Sequence, residues 1–181
     1  MKIRIAIIIT LFLFFFSSCF DDLYYYFTDN ERALLVYGKG DSFSLLREPQ
    51  MDTLTFVFTD IIQDSLKTSA LGFQYHISES YDATFVQNDS ILGGINAFKE
   101  PDFMMSIGLK IGKYNSEFYG FLCDTLYGCI LNNKEYPELY IFAEEKGKSP
   151  MLYYTKDEGI VYIDSTASGN SYTLIEFKKM E

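Results

Sequence analysis

The chain has 181 residues, with 15 lysines and arginines against 25 aspartates and glutamates, a net charge of −10 and an aromatic content of 18%. That length fits one domain. The acidic balance repels phosphate backbones, which argues against nucleic acid as a partner, and no basic cluster is present to grip an anionic membrane surface.

Lys2 and Arg4 precede an apolar run from Ile5 to Phe16, broken only by Thr10, and Ser17 and Ser18 are small. This is the layout of a secretory signal peptide over residues 1–18. As a helix the run would span roughly 18 Å, short of the roughly 30 Å hydrocarbon core. Phe16-Ser17-Ser18-Cys19 resembles the bacterial lipobox, with Phe16 where Leu is commoner. The resemblance implies cleavage before Cys19 and lipidation of its thiol, so that the bilayer is a partner through the acylated Cys19. Several acyl chains anchor a protein stably where one does so marginally. Phe20-Asp21-Asp22 resembles the acidic tag behind the cysteine of lipoproteins exported to the surface of Bacteroidota-type bacteria. The expected location is the outer membrane, lipid-anchored and facing the exterior.

Residues 19–31 are expected to form an extended acidic and aromatic leader, with the domain proper over 32–181. Arg32 to Tyr37 is apolar and predicts a strand ending in the turn Gly38-Lys39-Gly40-Asp41. Phe43 to Leu46 follows. Leu54, Phe56 and Phe58 share one face of the next strand, whose end at Ile61-Ile62 is ambiguous. In the alternation from Leu71 to Ser78, Leu71, Phe73, Tyr75 and Ile77 face the core and His76 lies opposite with Gln74 and Ser78. Ala83 to Val86 and Ser90 to Leu92 read as a hairpin about Gln87-Asn88-Asp89, with Gly93-Gly94 as a break.

Phe103 to Ile111 is the longest period-two run. Phe118 to Leu131 is one long strand or two with a bulge at Cys123-Asp124. Asn132-Asn133-Lys134 signals a hairpin, because asparagine tolerates positive φ. Tyr136–Ala143, Met151–Thr155, Gly159–Ile163 and Ser171–Phe177 complete the set. The room left for helix is a short piece near Ile61–Leu66 or Ile95–Phe98. About ten short strands without crossover helices predict an all-β fold, a single antiparallel β-sandwich or open half-barrel domain.

Leu131-Asn132-Asn133-Lys134-Glu135-Tyr136, Leu139-Tyr140-Ile141-Phe142, Tyr153 to Val161 and Tyr172-Thr173-Leu174 together resemble a pattern in small Bacteroidota-type lipoproteins. Tyr26 to Glu31, Leu35-Val36-Tyr37 and Asp52-Thr53-Leu54 resemble their opening. The resemblance implies a β domain on a lipid anchor and brings no catalytic residues. Asp-Ser or Asp-Thr before an aliphatic residue or Thr resembles the O-glycosylation acceptor of the same bacteria. It occurs at Asp52-Thr53, Asp64-Ser65, Asp89-Ser90, Asp124-Thr125 and Asp164-Ser165. Turn chemistry accounts for most of these. Ser65 and Ser90, expected in exposed turns, are the candidates for modification.

Catalytic chemistry has little to work with. His76 is the only histidine, and a His76, Ser78 and Asp82 set would need a geometry that closeness in sequence does not supply. Glu144-Glu145 and Asp157-Glu158 fit solvated turns better than a glycosidase cleft. Asp29-Asn30-Glu31 lacks the calcium-loop pattern, and Gly38-Lys39-Gly40 is a turn rather than a phosphate cradle. Cys123 and Cys129 would stand about 20 Å apart in a straight strand, so free buried thiols are expected rather than a bridge. No cofactor or metal is implied. An inner face with Phe73, Tyr75, Phe103, Met105, Phe118 and Phe121 would fill a core or, as the second reading, hold an apolar ligand. The chain is therefore read as a non-enzymatic envelope lipoprotein, binding an envelope protein or glycan or serving a structural role.

Overall fold

The computed structural model describes residues 22–70, 74–87, 90–99, 105–111, 116–164 and 169–180. Period-two patterning generates β1 (Leu23–Tyr25), β2 (Ser42–Glu48), β3 (Asp52–Ala70), β4 (Gln74–Gln87), β5 (Ser90–Lys99) and β6 (Met105–Ile111). It continues as β7 (Ser116–Leu131), β8 (Lys134–Ala143), β9 (Met151–Thr155), β10 (Gly159–Asp164) and β11 (Ser171–Lys178), with one short helix, α1 (Asp29–Arg32).

From β2 to β11 each strand pairs antiparallel with the next, and β11 pairs back onto β2. The result is a closed ten-strand up-and-down barrel. The all-β antiparallel expectation holds, and the sheet closes on itself instead of staying open or splitting into two layers. Closure removes the exposed edges that make open sheets prone to association. β1 is the parallel exception, with Leu23 opposite His76 and Tyr25 opposite Ser78 on β4. It uses the edge of β4 beyond Ser80, where pairing with β5 begins.

Bulges bend the strands around the barrel. On β3 the extra residue is Thr59, since Phe58 pairs with Phe85 and Asp60 with Thr84. Inward parity therefore switches there: Leu54, Phe56 and Phe58 are buried, then Ile61 packs on the core while Ile62 is 52% exposed. Cys123 is the extra residue on β7, between Leu122 and Asp124. Asn132 and Asn133 make the β7–β8 turn at φ 52° and 63°, as expected. The pair Gly93-Gly94 does not break β5. A Cβ on Gly93 would meet the Lys110 carbonyl at 1.8 Å, so glycine lets β6 lie close there.

The interior is aromatic. Phe43 and Phe56 stack at 5.0 Å, and Phe85 meets Phe56 at 5.0 Å and Phe58 at 5.7 Å. Residues 32–37, expected as a strand, instead run from α1 into the barrel end, with Leu34 and Tyr37 buried in the core. The region read as an extended leader also folds from Leu23 onward, as β1, buried Phe27 and α1. Thr28 caps α1: its hydroxyl accepts from the Glu31 N–H while the Glu31 carboxylate accepts from the Thr28 N–H. Both places left open for a short helix are strand instead: Ile95 and Ala97 are buried in the wall, and residues 61–66, largely exposed, pair with β4.

Tyr37 is the keystone of this plug. Its ring stacks on Phe58 at 4.3 Å, its Oη accepts from the Ile160 N–H at 2.6 Å, and its carbonyl accepts from the Tyr81 hydroxyl at 2.8 Å. Gly159 makes room for it, with φ at 74° and an added Cβ falling 2.1 Å from the Tyr37 Oη. Gly159→Ala is therefore expected to cost about 1–3 kcal/mol from backbone strain, with the clash adding to it. Urea unfolding of the two proteins measures the loss, and an unchanged midpoint would refute the fit described.

Candidate functional site

The outer faces of β4 to β7 carry a groove of about 390 Å³. Alternation places it there. Tyr81, Ala83 and Phe85 of β4 are buried, so Asp82 and Thr84 turn outward, and Gly94 and Asn96 do so beside buried Ile95 and Ala97 of β5. Gly108 and Lys110 alternate with Ile107 and Leu109 on β6, and Tyr119 follows buried Phe118 on β7. Register then aligns residues that are far apart in sequence. Asp82 lies opposite Asn96, Asn96 opposite Gly108, and Gly108 opposite Tyr119. The neighbouring row is Thr84, Gly94 and Lys110.

The two glycines make the floor. A Cβ on Gly108 would fall 2.0 Å from Asn96 Oδ1, so the Asn96 amide lies across the backbone of β6 toward Tyr119. The Tyr119 ring is 45% exposed and meets Phe121 edge-on at 5.4 Å. Phe121 therefore sits on the outside, contrary to the inward face expected for it. The bulge that could have corrected its parity comes two residues later, at Cys123. Of the other residues expected inside, Met105 and Phe118 are buried, the side chain of Tyr75 lies outside the described set, and so do Phe73 and Phe103.

Electrostatics single out Asp82. Its carboxyl is pushed above the ordinary range by partial burial alone, and among the described residues neither it nor the Asn96 amide has a hydrogen-bond partner. Several other acids of the outer surface and rim are engaged. Glu79 pairs with Arg32, Asp124 with Lys146, Glu138 with Lys156 and Glu158 with Lys134. Lys146 holds the Asp124 carboxyl below its ordinary range. An unpaired carboxylate beside an unpaired amide is an unused hydrogen-bonding surface, and ligand sites are made of such convergent polar groups.

The sequence-derived candidates disperse. Cys19 lies outside the described residues. Ser65 sits mid-strand on β3, exposed, its N–H donating to Asp64 Oδ1 at 2.7 Å, rather than in a turn. Ser90 opens β5 and its side chain is outside the described set. His76 packs against the Tyr25 ring at 5.4 Å, and Asp82 lies six residues further along β4, about 20 Å away in an extended strand. Glu145 pairs with Lys148 in an exposed turn. Cys123 and Cys129 are free but half-buried, and the Cys123 thiol donates to the Ile141 carbonyl at 3.3 Å. Burial, with Asp124 beside it, pushes the Cys123 thiol above its ordinary range, which lowers its reactivity. Glu31 belongs to the helix cap and the plug, where Lys99 Nζ donates to it at 2.7 Å.

Sequence reasoning missed Asn96, Gly108, Lys110 and Tyr119 as a site. Alternation alone gives the outward side of each, but only the strand register brings them into one row. No protein-family model matches the chain, and no curated protein or solved structure shows significant similarity to it.

Proposed function

We propose that the chain is a lipid-anchored binding module of the cell envelope, processed before Cys19, that works by binding rather than catalysis. The observation that carries the binding role is the outer groove, with its unengaged Asp82 and Asn96 over a glycine floor. The address rests on the apolar run and Phe16-Ser17-Ser18-Cys19, with Phe20-Asp21-Asp22 supporting exposure on the outer surface. β1 begins at Leu23 and is pinned to β4, so three residues, at most about 14 Å from Cα to Cα, separate it from Cys19. A lipid there would hold the barrel wall against the bilayer surface. The carrier reading would need interior space where Phe43, Phe56, Phe58 and Phe85 already touch one another. Asp64-Ser65-Leu66 is exposed on β3, which supports Ser65 as the glycan acceptor.

Intact mass of the protein from its own cells tests the address. The expected result is a fragment starting at Cys19 with a lipid-sized increment that Cys19→Ala abolishes, together with cleavage by protease added outside intact cells. A further increment lost in Ser65→Ala would assign the glycan. Processing without lipid would replace the anchored module with a soluble secreted one.

A further inference from the structure

We propose that the groove on β4 to β7 binds a neutral saccharide chain along the row Asp82, Asn96 and Tyr119. The inference rests on the binding role above and names the ligand class. A sugar presents two kinds of surface at once, apolar C–H faces and rings of hydroxyls that both donate and accept. The row answers each. Tyr119 offers a half-exposed ring braced by Phe121, on which C–H groups can pack. The Asp82 carboxylate accepts from hydroxyls through two oxygens, and the Asn96 amide both donates and accepts.

The spacing fits a chain rather than a single ring. Three inter-strand steps of about 4.8 Å set Asp82 and Tyr119 about 14 Å apart, longer than one pyranose. Gly94 and Gly108 carry no side chain between them, and the Asn96 amide lies over Gly108, so a chain along the row rests on that amide. Thr84 and Lys110 supply further donors along one side.

Competing ligand classes fit less well. A polyanionic glycan would face Asp82 and a net charge of −10. A lipid or apolar cofactor would leave Asp82 and Asn96 buried without partners, which costs binding. An extended peptide binds sheets by adding a strand at an edge. Here β4, β5 and β6 are each paired on both sides along the row, and only the short stretch of β7 at Tyr119, before its pairing with β8 begins at Phe121, offers an edge.

The test uses the full chain purified in detergent, applied to an array of neutral gluco-, manno-, galacto- and N-acetylglucosamine oligosaccharides. The strongest hit is then titrated by calorimetry. Saturable binding is expected, with Kd raised about tenfold or more by Asp82→Ala and by Tyr119→Ala. Tyr127→Ala removes an aromatic of β7 that is 74% exposed and lies outside the groove, and it is expected to leave Kd unchanged. Both groove residues are outer-facing, and a preserved circular dichroism spectrum and melting temperature confirm that the variants fold. No saturable binding on the array would overturn the proposal, as would binding that Asp82→Ala and Tyr119→Ala leave intact, or binding to peptides alone. The intact mass of the same sample reports the lipid independently, so loss of the saccharide reading and loss of the anchored-module reading are separate results.

Discussion

Tyr37→Ala is expected to destabilise the barrel by about 3–5 kcal/mol, the range for deleting a large buried aromatic. A domain's net stability is only about 5–15 kcal/mol, so this one change removes much of it. Three losses coincide. The ring no longer contacts Phe58 at 4.3 Å, Phe177 at 5.7 Å and Phe43 at 5.8 Å. The Ile160 N–H loses its acceptor. The cavity opens at the barrel end, where Tyr37 packs beside buried Phe27 and Leu34 of the same segment. Tyr37→Phe separates the contributions, because it keeps the ring and deletes only the hydroxyl. It is expected to cost about 1–3 kcal/mol, the penalty for stranding a buried donor. Urea denaturation of the three proteins measures both differences. Equal midpoints for Tyr37→Ala and the parent would mean that the N-terminal segment does not close the barrel.

What the sequence reveals and what it hides follow from the range of each interaction. Local signals were legible: the alternation over Met105–Ile111, the asparagine turn after β7 and the bulge at Cys123 all appear where the residues predict them. The helix was legible too in principle, since Thr28-Asp29-Asn30-Glu31 is a capping box, but its apolar continuation imitates a strand. Leu34 and Tyr37 are apolar because they enter the core end-on, not because they pair with neighbours. Closure was not legible. Pairing of β11 with β2 joins residues from opposite ends of the domain, and period-two patterning is the same for a barrel wall and for one face of a sandwich.

The candidate site follows the same division. Asp82 on the outside of its strand could be read from Tyr81, Ala83 and Phe85 around it. Its neighbours across three further strands could not, because register is set by turns and bulges whose exact residue is decided in three dimensions. Gly93-Gly94 shows the difficulty. As sequence, a glycine pair punctuates a strand. In the barrel it lets backbones approach and keeps the groove floor open. Glycine's meaning there depends on the strand opposite it.

Acid should loosen the same end of the barrel that Tyr37 closes, through Glu31. This carboxylate is 6% exposed and accepts from four donors: Lys99 Nζ at 2.7 Å, the Met105 N–H at 3.1 Å, the Thr28 N–H at 2.7 Å and the Thr28 hydroxyl at 2.9 Å. Burial opposes its ionisation, but hydrogen bonds from Lys99 and Thr28 outweigh burial and hold the carboxyl below its ordinary value of 4.5. A carboxyl whose folded-state pKa is depressed stabilises the fold fully above its unfolded value, and that contribution is lost as pH falls through the folded value. Stability of the parent should therefore decline below about pH 4.5. Glu31→Gln, which cannot ionise, should give a flatter profile across that window. Glu31→Ala is expected to cost about 3–5 kcal/mol at neutral pH, because it strands a largely buried ammonium. Lys99, whose side chain is 17% exposed, then has no counter-charge, and the Met105 N–H has no acceptor. Urea midpoints measured from pH 3 to pH 7 read both effects. Parallel slopes for parent and Glu31→Gln would place the acid sensitivity outside this carboxylate.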